Sequence, residues 1–138
     1  MDVQQAKHIA DRFIEQLHRL EDGDPLVADQ IADMFADDAE LTNPVMKRDG
    51  GARRGRGEIA EFWRQYVSAF GDIRSEFYDV TTSDHSAGLF WKSTGKSPAG
   101  EDLAYDGVSL LAFDDEGKIA RFQGFFDSRQ LSLHGTSH

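Results

Sequence analysis

The stretch LAYDGVSLLAFDDEGKIARFQGFF, Leu103 to Phe126, holds two runs of apolar, aromatic and β-branched residues separated by Asp114-Asp115-Glu116-Gly117. Two such runs around a short polar turn spell a β-hairpin, with Gly117 free to take the positive φ that the turn demands. Side chains alternate faces along a strand. Tyr105, Gly107, Ser109, Leu111 and Phe113 therefore share one face of the first strand, and Asp106, Val108, Leu110 and Ala112 the other. On the return strand, Lys118 to Phe126, Phe122, Gly124 and Phe126 oppose Ile119, Arg121, Gln123 and Phe125. Neither face is purely polar, so both are expected to be covered at least in part.

Working outward, Ile73 to Ser83 and Ala87 to Ser97 read as two further strands, joined by the turn Ser83-Asp84-His85-Ser86. The first half of the chain reads as helices. Asp2 caps a helix over Val3 to Leu20, where Ile9, Phe13 and Leu17 recur at helical spacing and Ala6, Ala10 and Ile14 widen the apolar stripe. Glu21-Asp22-Gly23 stops it, and Asp24-Pro25 opens a second helix with Leu26, Val27, Ile31 and Phe35 on one side. Ala36-Asp37-Asp38 reads as a turn, Ala39 to Asn43 as a short strand that Pro44 ends, and Lys47 to Arg56, with Gly50, Gly51 and Gly55, as a loop. A third helix over Gly57 to Phe70 carries Ile59, Phe62, Trp63, Tyr66, Val67 and Phe70. Helices followed by an antiparallel meander predict an α+β domain with helices on one face of the sheet. The other face then needs a partner, and a homodimer through that outer face is expected.

The chain has 138 residues, enough for one core. It is read as a single domain over 1–132 with a polar tail at 133–138. A net charge of -10 repels nucleic acid and anionic membrane surfaces, so neither is an expected partner. The absence of cysteine excludes a disulfide framework, a thiolate metal site and a cysteine nucleophile. Met1 to Asp11 does not read as a signal peptide, and no apolar run approaches membrane-spanning length, so a cytoplasmic location is expected. His85 falls in a turn, and His134 and His138 in the tail, so no metal or other cofactor is expected.

Three blocks carry a resemblance. Phe35-Ala36-Asp37-Asp38-Ala39-Glu40-Leu41-Thr42-Asn43-Pro44 resembles the helix–turn–strand segment of the nuclear transport factor 2-like superfamily, closest to its SnoaL-like and ketosteroid-isomerase-like branches. Gly55 to Trp63 agrees in order and spacing, as does Asp115 to Ile119 through Phe125-Phe126-Asp127. The resemblance implies a cystatin-like cone, a curved and mostly antiparallel sheet wrapped around the N-terminal helix with further helices, around a deep pocket and commonly dimeric. The same fold hosts isomerases, cyclases, hydrolases, dehydratases and binding modules, so it does not fix the activity.

The residues at the matching positions narrow it. A ketosteroid isomerase needs a carboxylate base with a tyrosine and a protonated aspartate that hold the enolate. Those positions fall here on Asn43, Phe13 and Ser109, and an amide cannot remove a carbon-bound proton at neutral pH. The limonene-epoxide-hydrolase pattern of two aspartates bridged by an arginine falls on Gly124, Thr94 and Lys96, leaving only Asn43 at a water-positioning place. SnoaL-like cyclases use an acid that faces the pocket. The nearby acids are Asp106 and Asp127, which strand parity turns away.

The candidate ligand contacts are Phe13, Asn43, Phe62, Trp63, Tyr66, Trp91, Ser109, Leu111, Phe122, Gly124 and Phe126, and Asn43, Tyr66, Ser109, Asp106 and Asp127 are the candidate catalytic groups. Any one of the aromatic residues reads equally well as core, Asn43 as the cap of the turn at Pro44, and Ser109 as a partner of a neighbouring strand. Tyr66 and Trp91 carry polar tips that need partners when buried. The basic cluster Lys47, Arg48, Arg53, Arg54 and Arg56 reads as a solvated loop or as the rim of the pocket. Together these readings point to a protein that binds a small apolar, ring-containing molecule. The alternatives are a cofactor-free isomerase, cyclase or lyase acting on a carbonyl compound, and a dimeric interaction module with a vestigial pocket.

Overall fold

The computed structural model describes residues 2–24, 26–48, 51–127 and 129–130, without the side chains of residues 47 and 48. Pro25, Gly50, His134, His138 and the tail at 133–138 lie outside the described residues.

Helix α1 spans Val3–Glu21. Its start is a capping box: Asp2 accepts the N–H of Gln5 at 2.8 Å, and the Gln5 amide oxygen accepts the N–H of Asp2 at 2.9 Å. Ala6, Ala10, Phe13, Leu17 and Leu20 form its buried stripe, and Gly23, at φ 105°, ends it. Helix α2 is short, Val27–Ala32, and Leu26 is largely exposed just before it.

Strand β1 begins earlier than the turn-forming residues suggest, running over Phe35–Thr42. Ala36-Asp37-Asp38 is not a turn but an irregularity in the pairing with the last strand, between Phe35 and Glu40. Phe35 is accordingly a strand residue and not part of the α2 face. The expected loop at Lys47 to Arg56 is also partly ordered. It holds the end of helix α3 (Pro44–Arg48), the two-residue strand β2 (Arg53–Arg54) and the start of helix α4 (Gly55–Ser68). Arg54 pairs with Glu40 on β1. Arg56 donates to the Phe35 carbonyl at 2.8 Å and pairs with Asp37.

Strands β3 (Asp72–Thr82), β4 (Ser86–Lys96), β5 (Asp102–Phe113) and β6 (Ile119–Phe126) form the antiparallel meander. The six strands lie in the order β2-β1-β6-β5-β4-β3, and β1 runs parallel to β6. Irregularities at Phe77/Asp79 and Ala112/Phe113 bend the sheet around α1, because an extra residue on one strand raises its local twist. The second of them sets Ile119 opposite Phe113, on the inner face with Phe122 and not on the outer one. The hairpin turn is as expected, with Gly117 at φ 80° and Asp114 Oδ1 accepting the N–H groups of Glu116 and Lys118.

The inner face of the sheet packs on the helices in two groups. The larger joins α1, α2 and α4 to Leu41, Leu89, Leu111 and Phe122; the smaller is Ile73, Trp91 and Tyr105 with half-buried Val67, Phe70 and Phe126. No helix among the described residues is long and apolar enough to cross a membrane.

Gly107 on β5 marks a close approach of backbone to backbone. A Cβ there would overlap the Phe125 carbonyl oxygen and lie 2.9 Å from the Trp91 ring, whereas one at Gly57, on α4, would meet nothing within 4 Å. Gly107→Ala is expected to cost about 2 to 3 kcal/mol through overpacking. Gly57→Ala is expected to gain up to about 1 kcal/mol through reduced backbone entropy in the unfolded chain. Urea midpoints of the two variants check both signs.

Candidate functional site

Between the two core groups lies a cavity of about 520 Å³. Helix α1 contributes Phe13 and Leu17, and α4 contributes Phe62, Trp63 and Tyr66 within about one turn of each other along one flank. The inward positions of β3 to β6 supply Ser75 and Phe77, Trp91 and Ser93, Tyr105 and Ser109, and Phe122, Gly124 and Phe126. Their spacing by two is the strand period that turns one side chain in two toward the helices. Asn43, Val45, Met46, Gly51 and Arg53 border the side nearest α3 and β2.

The aromatic wall is continuous. Trp63 meets Phe13, Phe62, Tyr66 and Phe122 with ring centroids 4.8–5.7 Å apart, mostly edge to face. Tyr105 meets Trp91 and Phe126 edge to face, and stacks with Phe70 at 6.3 Å. Edge-to-face contact places the positive rim of one ring on the negative face of the next, and it fixes both rotamers.

Into this apolar wall the fold sets hydroxyls. Ser75, Ser93 and Ser109 are the buried polar residues among those described, and all three line the cavity. A buried hydroxyl without a partner costs on the order of 1–3 kcal/mol, so each has one. Ser109 Oγ accepts the Trp91 indole N–H at 3.0 Å. Ser75 and Ser93 join each other at 2.7 Å, and Ser75 donates to Glu21 Oε2 at 2.6 Å. Tyr66 also donates to Glu21, at 2.9 Å.

Glu21 is the last residue of α1, where a negative charge faces the negative end of the helix dipole. Three hydrogen bonds offset that cost: the two hydroxyls on Oε2 and the Ser75 backbone N–H on Oε1 at 2.8 Å. The Ser75 carbonyl in turn accepts His18 Nε2 at 2.8 Å, so both outward backbone groups of this edge-strand residue are taken by the last turn of α1.

Burial, more than any other influence, pushes the Tyr66 hydroxyl well above the usual tyrosine range, and the nearby Tyr105 and Glu21 push the same way. Burial does the same to Tyr105, raised to about 12, with Glu21 pushing the same way and the neighbouring Tyr66 and Ser93 hydroxyls pulling downward. Both remain neutral at physiological pH.

Of the residues singled out in the sequence, Phe13, Asn43, Phe62, Trp63, Tyr66, Trp91, Ser109, Phe122, Gly124 and Phe126 all face one cavity. Leu111 does not. It is wholly buried in the larger core group, one inward position beyond Ser109. Asp106 and Asp127 also lie off the lining: Asp106 is exposed on the outer face, and Asp127 is exposed and paired with Arg129, which holds its carboxyl below the usual range. Asn43 Oδ1 accepts the Met46 N–H at 2.9 Å, so it caps α3 and borders the cavity at once. Of the basic cluster, Arg53 reaches the lining, whereas Arg54 and Arg56 are held by Glu40 and Asp37. His85 is exposed and bonded to Asp84.

Ser75, Ser93, Tyr105 and Glu21 were missed. Ser93 and Tyr105 share strand parity with Trp91 and Ser109, a signal that was legible. Glu21 reads in sequence only as part of a helix stop. Among the described residues no group of three or more His, Asp or Glu is placed to hold a metal ion.

The SnoaL-like domain model matches residues 10–122 of the chain. Among solved structures, the chain is similar to an NTF2-like protein of unknown function from Exiguobacterium sp. 255-15. The two share 20% identity and a TM-score of 0.71, over 86% of this chain and 98% of that one. At that identity the likeness concerns the fold, and it is the curved α+β cone that the sequence resemblance implied. No curated protein matches the chain.

Tyr105 gives the cavity a pH signature. Its hydroxyl ionises near 10.0 in the unfolded chain and at about 12 in the fold, so above pH 10 the unfolded state loses the proton first. Stability is therefore expected to be flat with respect to this group below pH 10 and to fall by roughly 2 to 3 kcal/mol between pH 10 and 12. Tyr105→Phe is expected to make the measured fall shallower, Tyr66 keeping its own share, read from urea midpoints across the range.

Proposed function

The chain belongs to the SnoaL-like domain family of the NTF2-like superfamily, and from that premise and the geometry of its cavity we propose that it binds a small apolar, ring-containing molecule there. The observation that carries the reading is the pairing of a continuous aromatic wall with the serine hydroxyls buried among the described residues, all on one cavity. A volume of about 520 Å³ falls within the range of small-molecule sites, which are mostly apolar with a few fixed polar groups. A vestigial pocket would be filled by its own side chains. A carbonyl-acting isomerase, cyclase or lyase would want a carboxylate facing the reacting carbon, and among the described lining residues there is neither Asp nor Glu. Cysteine-free composition suits a cytoplasmic setting for this role.

Gly124 offers a direct test. A Cβ there would make only ordinary contact, 3.5 Å from Asn43 Cβ, so further side-chain atoms would enter the cavity. In Gly124→Leu, affinity for a naphthalene-type probe is expected to drop at least tenfold with the melting temperature little changed. Trp63 and Trp91, the chain's two tryptophans, both line the cavity, so quenching of their emission reports binding. Unchanged affinity in the variant would sink the proposal.

We also propose that the outer face of the sheet joins two copies of the chain. Tyr78, Phe90 and Val108 make an apolar row across β3 to β5, with exposed Leu110 beside it. A monomer would leave this row in water. Light scattering is expected to give a mass near twice 15.4 kDa, and Leu110→Glu, a surface change, a mass near the single value. A monomeric wild-type protein would refute the dimer.

A further inference from the structure

Two adjacent arginines on β2 are turned to opposite faces of the sheet. In the antiparallel β1–β2 pair Glu40 stands opposite Arg54, and Leu41 opposite Arg53. Directly opposed residues share a face. Leu41 is wholly buried in the larger core group, so Arg53 is turned inward, where it borders the cavity half-buried. Arg54 is turned outward and held by Glu40, and Arg56 is held by Asp37. Arg53 has no carboxylate partner among the described residues, in a chain whose acids outnumber its lysines and arginines by 25 to 15.

Other uncommitted polar groups of the lining have the same sense. Asn43 faces the Met46 backbone N–H, which only its carbonyl oxygen can accept, so its amide N–H groups keep no acceptor among the described residues. Ser109 accepts from Trp91 and keeps its O–H. The Trp63 indole N–H is buried with no acceptor at all among those residues, a state that costs free energy and that an acceptor alone relieves. Tyr66 and Ser75, whose protons go to Glu21, belong to the β3 edge of the sheet, opposite the β2 edge. The cavity is therefore polarised, with its cation at one edge and a carboxylate behind its wall at the other.

We infer that the ring compound carries a carboxylate, that Arg53 pairs with it, and that Asn43 donates beside it. The guanidinium fork matches the two carboxylate oxygens. Arg53 is the one cation among the described lining residues, so it balances a single negative charge and not a phosphate dianion. A neutral compound seated against it would strip water from the guanidinium with no charged partner in exchange. Glu21 at the far edge repels the anion, which fixes the ligand's orientation. The net charge of -10 is screened beyond roughly 8 Å at physiological ionic strength, so the short-range pair decides. The inference rests on the binding role proposed above and names the polar group of its ligand.

Calorimetry at neutral pH with β-naphthoate, β-naphthamide and naphthalene tests it. The naphthoate is expected to bind about tenfold more tightly than the amide, its neutral analogue of the same shape. Raising salt from about 50 to about 500 mM is expected to weaken the naphthoate several-fold and leave the other two little changed. In Arg53→Gln the preference is expected to fall below about threefold while naphthalene affinity holds. Arg54→Gln removes the same charge from a residue already held by Glu40, and it is expected to keep the full preference, which separates a local pair from a change in net charge. The salt response needs no variant, so the test stands should Arg53→Gln not fold. Equal binding of naphthoate and naphthamide by the wild-type protein, or a preference that survives Arg53→Gln, overturns the inference while leaving the binding role in place. If none of the three binds, the binding role falls and the inference with it.

Discussion

The last turn of α1 closing over the edge of the sheet is the contact on which the rest of this structure turns. His18 and Glu21, one turn apart, take the carbonyl and the N–H of Ser75 on edge strand β3. An edge strand with free backbone groups invites pairing with another chain, and here a helix terminus occupies them. The same contact fixes how far the sheet stands from the helix. Phe13 and Leu17, on the turns preceding Glu21, then project over the sheet's concave face at a depth set by that clamp. A curved sheet pinned to a straight helix at one end leaves a wedge of space, and the aromatic rings of α4 line it without filling it.

Curvature in turn depends on local breaks in regular pairing. The irregularities at Phe77/Asp79 and Ala112/Phe113 each add a residue on one strand and bend β3 and β6, and Gly107 lets the β5 backbone approach Phe125 where any side chain would collide. Gly124, paired with Ser109 in the same β5–β6 ladder, does the opposite service. Its missing side chain leaves room in the wall, not in the backbone.

Much of this was legible in the sequence because it follows from periodicity. The strand parity of Ser109, Phe122, Gly124 and Phe126, and the helical recurrence of Phe13, Phe62, Trp63 and Tyr66, place eight cavity residues from spacing alone. Leu111 shares that parity but sits one step too deep, because parity fixes the face and says nothing of the distance along it. The Ala36-Asp37-Asp38 run misled because turn-forming residues also suit a bulge, and only the partner strand decides between them. Ile119 changed faces for a related reason: one irregular residue shifts the alternation by one. Glu21 was hidden most thoroughly. Its partners lie 45 and 54 residues away in sequence, and nothing in a helix-stop tripeptide marks a carboxylate that will be met by two hydroxyls.

A network oriented in this way recognises polarity at small energetic cost at the moment of binding. Aromatic walls accept almost any flat apolar body, since edge and face contacts discriminate weakly among rings. Hydroxyl rotors, by contrast, usually turn to suit either a donor or an acceptor, which makes an isolated serine or tyrosine indifferent between them. A carboxylate removes that freedom. Once Glu21 takes the protons of Tyr66 and Ser75, Ser93 is left to donate to Ser75, so these three hydroxyls have a single arrangement that satisfies them all. The ordering cost is then met on folding and not on binding, which is the physical meaning of a preorganised site. It also explains why an acid set behind the lining, at an electrostatically poor helix position, is worth more to this cavity than one pointing into it. A charge inside would have to be desolvated by every apolar ligand, whereas Glu21 keeps its hydrogen bonds and acts through the neutral hydroxyls of Tyr66 and Ser75.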